Sequence, residues 1–123
     1  MKAVAPSGQL APTDATQAVV CLYAGSNEST KAGTLISTTT VKDPSRLAVL
    51  LNQAKPVPKT ALYRCAIDRG GMTVIVFTGP TGTTTVEIPT TGCRFASSTS
   101  VSGLWSLSPA AFRALRVFYP IVK

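Results

Sequence analysis

Histidine is absent from this 123-residue chain, and acidic side chains are scarce, five against twelve lysines and arginines. Without an imidazole neither a serine nor a cysteine nucleophile has its usual base, and the commonest zinc ligand is missing. The three cysteines, Cys21, Cys65 and Cys93, lack the close C-x-x-C spacing of structural zinc sites. No glycine loop suited to cradling phosphates is present, and no apolar run approaches the roughly 20 residues that a membrane-spanning helix needs. The expectation is a protein that is not an enzyme, with no metal, no cofactor and no transmembrane span.

The five carboxylates, Asp14, Glu28, Asp43, Asp68 and Glu87, could run hydrolytic chemistry only as a paired acid and base. Asp43 stands where a helix cap belongs, and Glu87 falls on the wet side of a strand. Asp68 lies between Arg64 and Arg69, beside a glycine pair. An Asx-type turn or an ion pair explains it structurally, and a polar contact in a binding site is its functional reading.

The net charge of +7 suggests an acidic partner. The basic residues are nevertheless scattered, with no run and no interleaved aromatics for stacking bases, so nucleic acid is not expected. A solvated basic surface is the favoured reading, and an anion-binding face using Arg113 and Arg116 is its rival.

What is present fits one compact domain: 45% hydrophobic and 14% charged residues in 123 positions, enough to bury roughly two-thirds of the unfolded surface. Residues 1–16 contain no apolar signal-peptide core and read as a flexible linker, leaving 17–123 as the domain. Gln17 to Ala24 reads as a buried strand holding Cys21 as an inert thiol, and Thr34 to Val41 as a Thr-rich partner. At Asp43-Pro44 the grammar changes to a helix, with an N-cap, proline at the first position, and Leu47, Leu50, Leu51 and Ala54 on one stripe. Pro56 ends it. Met72 to Thr78 and Thr83 to Ile88 form a long hairpin about Gly79-Pro80-Thr81-Gly82. The first arm is apolar on both faces, as a central strand would be. A short strand is expected through Arg94 to Ala96, then a flexible loop over SSTSVSG. Ser108 and Pro109 open a second helix whose Phe112, Leu115, Phe118 and Tyr119 cluster opposite Arg113 and Arg116. Trp105 is read as a core anchor. The fold class is α+β: a small antiparallel sheet of about four strands with a long central hairpin, packed by one or two helices.

Cys65 and Cys93 bracket the hairpin. Counting from the turn places Cys93 opposite Asp68, three residues beyond Cys65, and Gly70-Gly71 offers a bend that absorbs the offset. A disulfide there would contribute about 3 to 4 kcal/mol in the chain-entropy picture. Pairing of Cys21 with either of the others, or between chains, stays open.

The order V-C-x-Y at Val20 to Tyr23, a Leu-rich helix ending in Leu51-Asn52, C-A-I-D-R-G from Cys65, and Gly92-Cys93 resembles a group of exported or lipid-anchored actinobacterial proteins of unassigned function. Ala66 stands where that pattern has proline, and the likeness covers roughly residues 8 to 93. It implies an extracellular or cell-envelope location, with Cys65 and Cys93 as the disulfide. A likeness of layout alone links the chain to subtilisin-inhibitor-like proteins. The functional expectation is a small secreted or cell-surface binding or accessory domain whose partner is a protein or a cell-envelope component. The alternatives are a protease inhibitor presenting Arg69, or Arg64, around the loop after Cys65, and a basic anion-binding module.

Overall fold

The computed structural model describes residues 9–25, 33–58, 71–80, 82–90 and 92–118. Among them lie seven strands and two helices: β1 (Gln17–Tyr23), β2 (Leu35–Thr40), α1 (Pro44–Leu51), β3 (Lys55–Pro56), β4 (Met72–Gly79), β5 (Gly82–Pro89), β6 (Ala96–Ser98), β7 (Val101–Ser106) and α2 (Pro109–Arg116). The strands form one antiparallel sheet in the order β2-β1-β4-β5-β6-β7-β3. The α+β class stands, but the sheet is larger than the four strands expected.

The hairpin register is the one its turn dictates. Gly79 faces Gly82 and Met72 faces Pro89, and Gly82 takes a φ of 127° that suits glycine. β4 is flanked by β1 and β5, as its two apolar faces require. Thr73, Ile75 and Phe77 point inward with Ala18, Val20 and Leu22 of β1 and Val86 and Ile88 of β5. Both helices cover this inner face: Leu47, Ala48, Leu51, Ala111 and Leu115 join the same core cluster. Each starts as its cap residue dictates, with Asp43 Oδ1 accepting from the Arg46 amide and Ser108 Oγ from the Ala111 amide. Trp105 is 7% exposed and anchors the core, its Nε1 donating to Ser102 O at 3.1 Å.

Three expectations are corrected. The segment read as a linker through residue 16 belongs to the domain from Leu10 onward: Leu10, Ala11 and Ala15 are buried in the core. The Asn52 side chain binds the Leu10 and Ala11 backbone, Ser45 Oγ donates to Thr13 O at 2.8 Å, and Thr16 N donates to Thr78 O at 2.8 Å. Its Ala, Pro and Thr composition gives no periodicity, yet an irregular strap can be buried when side chains satisfy its backbone.

The SSTSVSG stretch is not a loop. It supplies Ser97 and Ser98 of β6, a tight turn and the first half of β7, because the exposed edge of β5 offers Val86 and Glu87 as ladder partners to Ser98 and Ser97. Thr99 Oγ1 reinforces that pairing by accepting from Thr85 N at 3.0 Å, and Ser98 Oγ ties β6 to the strap by donating to Leu10 O at 2.6 Å. Tertiary pairing outweighs a composition that reads as loop. The strand expected from Arg94 begins only at Ala96.

Cys21 is not in the core. It is a half-buried free thiol on the outer face of β1, with Thr38 Oγ1 4.0 Å from its sulfur. The strand alternates, so burying Val20 and Leu22 turns Cys21 outward.

Candidate functional site

Of the residues singled out by sequence, Arg64, Cys65, Asp68 and Arg69 lie outside the described residues, and so does the loop on which an inhibitor reading depends. Cys93 is disulfide-bonded. Arg113 and Arg116 are exposed on the outer side of α2. They sit there because Ala111 and Leu115 commit the opposite side of the helix to the core, and cations in a last helical turn suit the helix dipole.

The structure adds a third guanidinium that sequence reasoning missed. Arg94 follows Cys93 in the turn before β6 and is exposed. Its Cζ lies 4.4 Å from the centroid of the Phe112 ring. Its φ is 56°, the one positive value at a non-glycine position among the described residues, a conformation that costs an L side chain roughly 1 to 2 kcal/mol. Phe112 and Arg116 are neighbours one turn apart on α2, and Arg113 and Arg116 are three apart, with Cβ atoms separated by about 5 to 6 Å in each pair. Arg94 and Arg116 therefore flank Phe112 from two elements, and Arg113 lies one turn before Arg116 on the exposed side of α2. No local signal marks Arg94, whose partner ring comes eighteen positions later in the chain.

The sheet face opposite the helices is a second surface. Val19, Cys21 and Tyr23 of β1 stand across from Val76, Val74 and Met72 of β4, all half-buried. Thr38 and Thr40 of β2 and Thr85 and Glu87 of β5 border this apolar strip. No described element packs on it. A third feature is an open cleft of about 170 Å³ between α1 and α2, lined by Val41, Leu47, Leu50, Ala114 and Phe118 with Asp43 and Arg46 at its polar end.

The described carboxylates do not converge. Asp43 is occupied at its cap, Glu87 lies exposed on the outer sheet face, and Asp14 is exposed on the strap. Among the described residues no group of three His, Cys, Asp or Glu side chains is placed to hold a metal ion, and no helix is long and apolar enough to cross a membrane. No protein-family model matches the chain, and no curated protein or solved structure matches it either.

Proposed function

We propose that the protein is a small, non-catalytic binding or accessory domain acting outside the cytoplasm, secreted or held at the cell surface, whose partner is a protein or cell-envelope component. The observation that carries this reading is the one-sided architecture. Both helices serve the inner face of the sheet, while the outer face carries the strip Val19, Cys21, Tyr23, Met72, Val74 and Val76 with a threonine border. Contiguous apolar surface rimmed by polar residues is the usual composition of a docking site. The absence of histidine from the sequence and the separation of the described carboxylates argue against acid–base or nucleophilic catalysis.

The cysteines support the proposed location. Cys93 is oxidised while Cys21 is free, and Cys65 is the partner inferred for Cys93. Such bonds persist in oxidising compartments.

A photo-crosslinking residue placed at Thr85, beside the outer strip, is expected to capture one defined partner in the native host. The same residue at Val49, on the solvent side of α1, is expected to capture none. Equal capture from both positions, or none from Thr85, would remove the outer face from consideration. Protease shaving of intact cells tests location independently, since a cytoplasmic protein survives it.

A further inference from the structure

We propose that Arg94, Arg113 and Arg116 form a binding face for a phosphodiester polymer, specifically a flexible polyol phosphate of the kind found in cell envelopes. This rests on the reading of the protein as a non-catalytic extracytoplasmic binding domain, and names one partner's chemistry and where it docks.

The starting point is the backbone at Arg94. A left-handed conformation is ordinary for glycine or asparagine and costly for arginine, and Gly92, two residues earlier in the same turn, also has a positive φ, of 77°. The cost is accepted at the one position that lays a guanidinium on the Phe112 ring. A cation held over a ring by its quadrupole uses up none of its N–H donors, which stay available to an anion. The Cys93 disulfide holds the adjacent backbone, so the donor fork is positioned before any ligand arrives, which reduces the ordering entropy of binding.

Arg113 and Arg116 extend the face along α2. Asp14, Asp43 and Glu87 are the acids of the described residues, and none of them forms an ion pair with these three arginines, so no described carboxylate compensates these cations. A carboxylate is planar and is satisfied by one guanidinium fork. A phosphodiester presents its oxygens in several directions and can be shared between arginines carried by two elements, as Arg94 and Arg116 are on either side of Phe112. The chemistry also discriminates against single-stranded nucleic acid. Recognition of unpaired bases relies on open aromatic faces, and Phe112 is half-buried with Arg94 across it.

The test uses the full chain with its disulfide intact and poly(glycerol phosphate) as the probe, followed by calorimetry over a salt series. Arg94→Gly, Arg113→Gln and Arg116→Gln are each expected to weaken binding about tenfold. Each is also expected to reduce the slope of log K against log salt by about 0.7. Arg94→Gly is the decisive variant, because it relieves the backbone while deleting the guanidinium, so its melting temperature stays near or above that of the parent. Lys42→Gln, on an exposed lysine before α1, should leave affinity within about twofold, as expected of diffuse screened charge. The proposal is overturned by no binding at low salt, by an equal loss in Lys42→Gln, by equal affinity for poly-L-glutamate, or by tighter binding of poly-dT. If poly(glycerol phosphate) binding fails while crosslinking from Thr85 persists, this face alone is lost and the binding-domain reading survives.

Discussion

Asn52 and Ala11 pair as two residues of a β-ladder would, although one contributes only a side chain: Asn52 Nδ2 donates to Ala11 O at 2.9 Å while its Oδ1 accepts from Ala11 N at 2.9 Å. The same oxygen accepts from Leu10 N at 2.7 Å. Asn52 is the C-cap of α1, so the end of the helix is also the clasp that fastens the N-terminal strap over the core. Replacing Asn52 with alanine leaves three part-buried backbone groups without partners. The expected loss is about 2 to 4 kcal/mol in urea unfolding, given roughly 1 kcal/mol or more for each such group. Asn52→Asp retains both acceptor bonds but places an oxygen against Ala11 O, and should be no better than half as stable a clasp. A change under about 0.5 kcal/mol in Asn52→Ala would show that the strap contributes nothing.

Leu10 tests the strap from its apolar side. It is fully buried, so Leu10→Ala should cost about 2 to 5 kcal/mol, the range for emptying a leucine site in a packed core. A true linker residue would tolerate the change within about 0.5 kcal/mol. Chemical denaturation of the two proteins, compared at their midpoints, separates the cases.

Gly71 sits where the base of the hairpin approaches the end of β1. A Cβ there would overlap Thr90 Oγ1 and lie 3.2 Å from the Gly25 nitrogen, while Gly71 O accepts from Thr90 N at 3.1 Å. Gly71→Ala is therefore expected to destabilise by about 1 to 3 kcal/mol through overpacking. In Gly71→Ala combined with Thr90→Ser the nearest oxygen can rotate away but the backbone contact remains, so only partial recovery is expected. Full recovery would assign the whole effect to the threonine.

The two sheet edges are protected unequally. β3 is two residues long and carries Lys55 and Pro56, both common devices against edge pairing. β2 has neither: Leu35 and Ile36 are 51% and 49% exposed, with a register irregularity beside them as its partial defence. Ile36→Lys should slow concentration-dependent aggregation measured by light scattering while changing stability by less than about 0.5 kcal/mol. Unchanged aggregation would place the vulnerable surface elsewhere.

Thiol titration of the native, unreduced protein is expected to find Cys21 and no other reactive cysteine, since Cys21 is free and Cys93 is bonded. Modification should be slower than for a fully exposed thiol because Cys21 is half-buried among Val19, Tyr23 and Val74. Three titratable thiols in protein taken from its native host would contradict the extracytoplasmic location and the pairing of Cys65 with Cys93 together.

Local chemistry determined a good deal of this molecule. Asp43-Pro44 and Ser108-Pro109 start the two helices, the spacing of Leu47, Leu50 and Leu51 turns one side of α1 to the core, and the Gly79 to Gly82 turn sets the hairpin register, all through interactions spanning a few residues. The exposure of Arg113 and Arg116 follows from the same periodicity. What the tertiary structure alone decided are the contacts made across long chain separations. A segment poor in pattern becomes a buried strap because Asn52 lies beneath it, a serine-rich stretch becomes two strands because β5 has a free edge, and Arg94 becomes part of a basic face because Phe112 is folded under it. Backbone hydrogen bonds and ring faces carry no residue code of their own, so the partners that satisfy them are chosen only when the chain closes on itself.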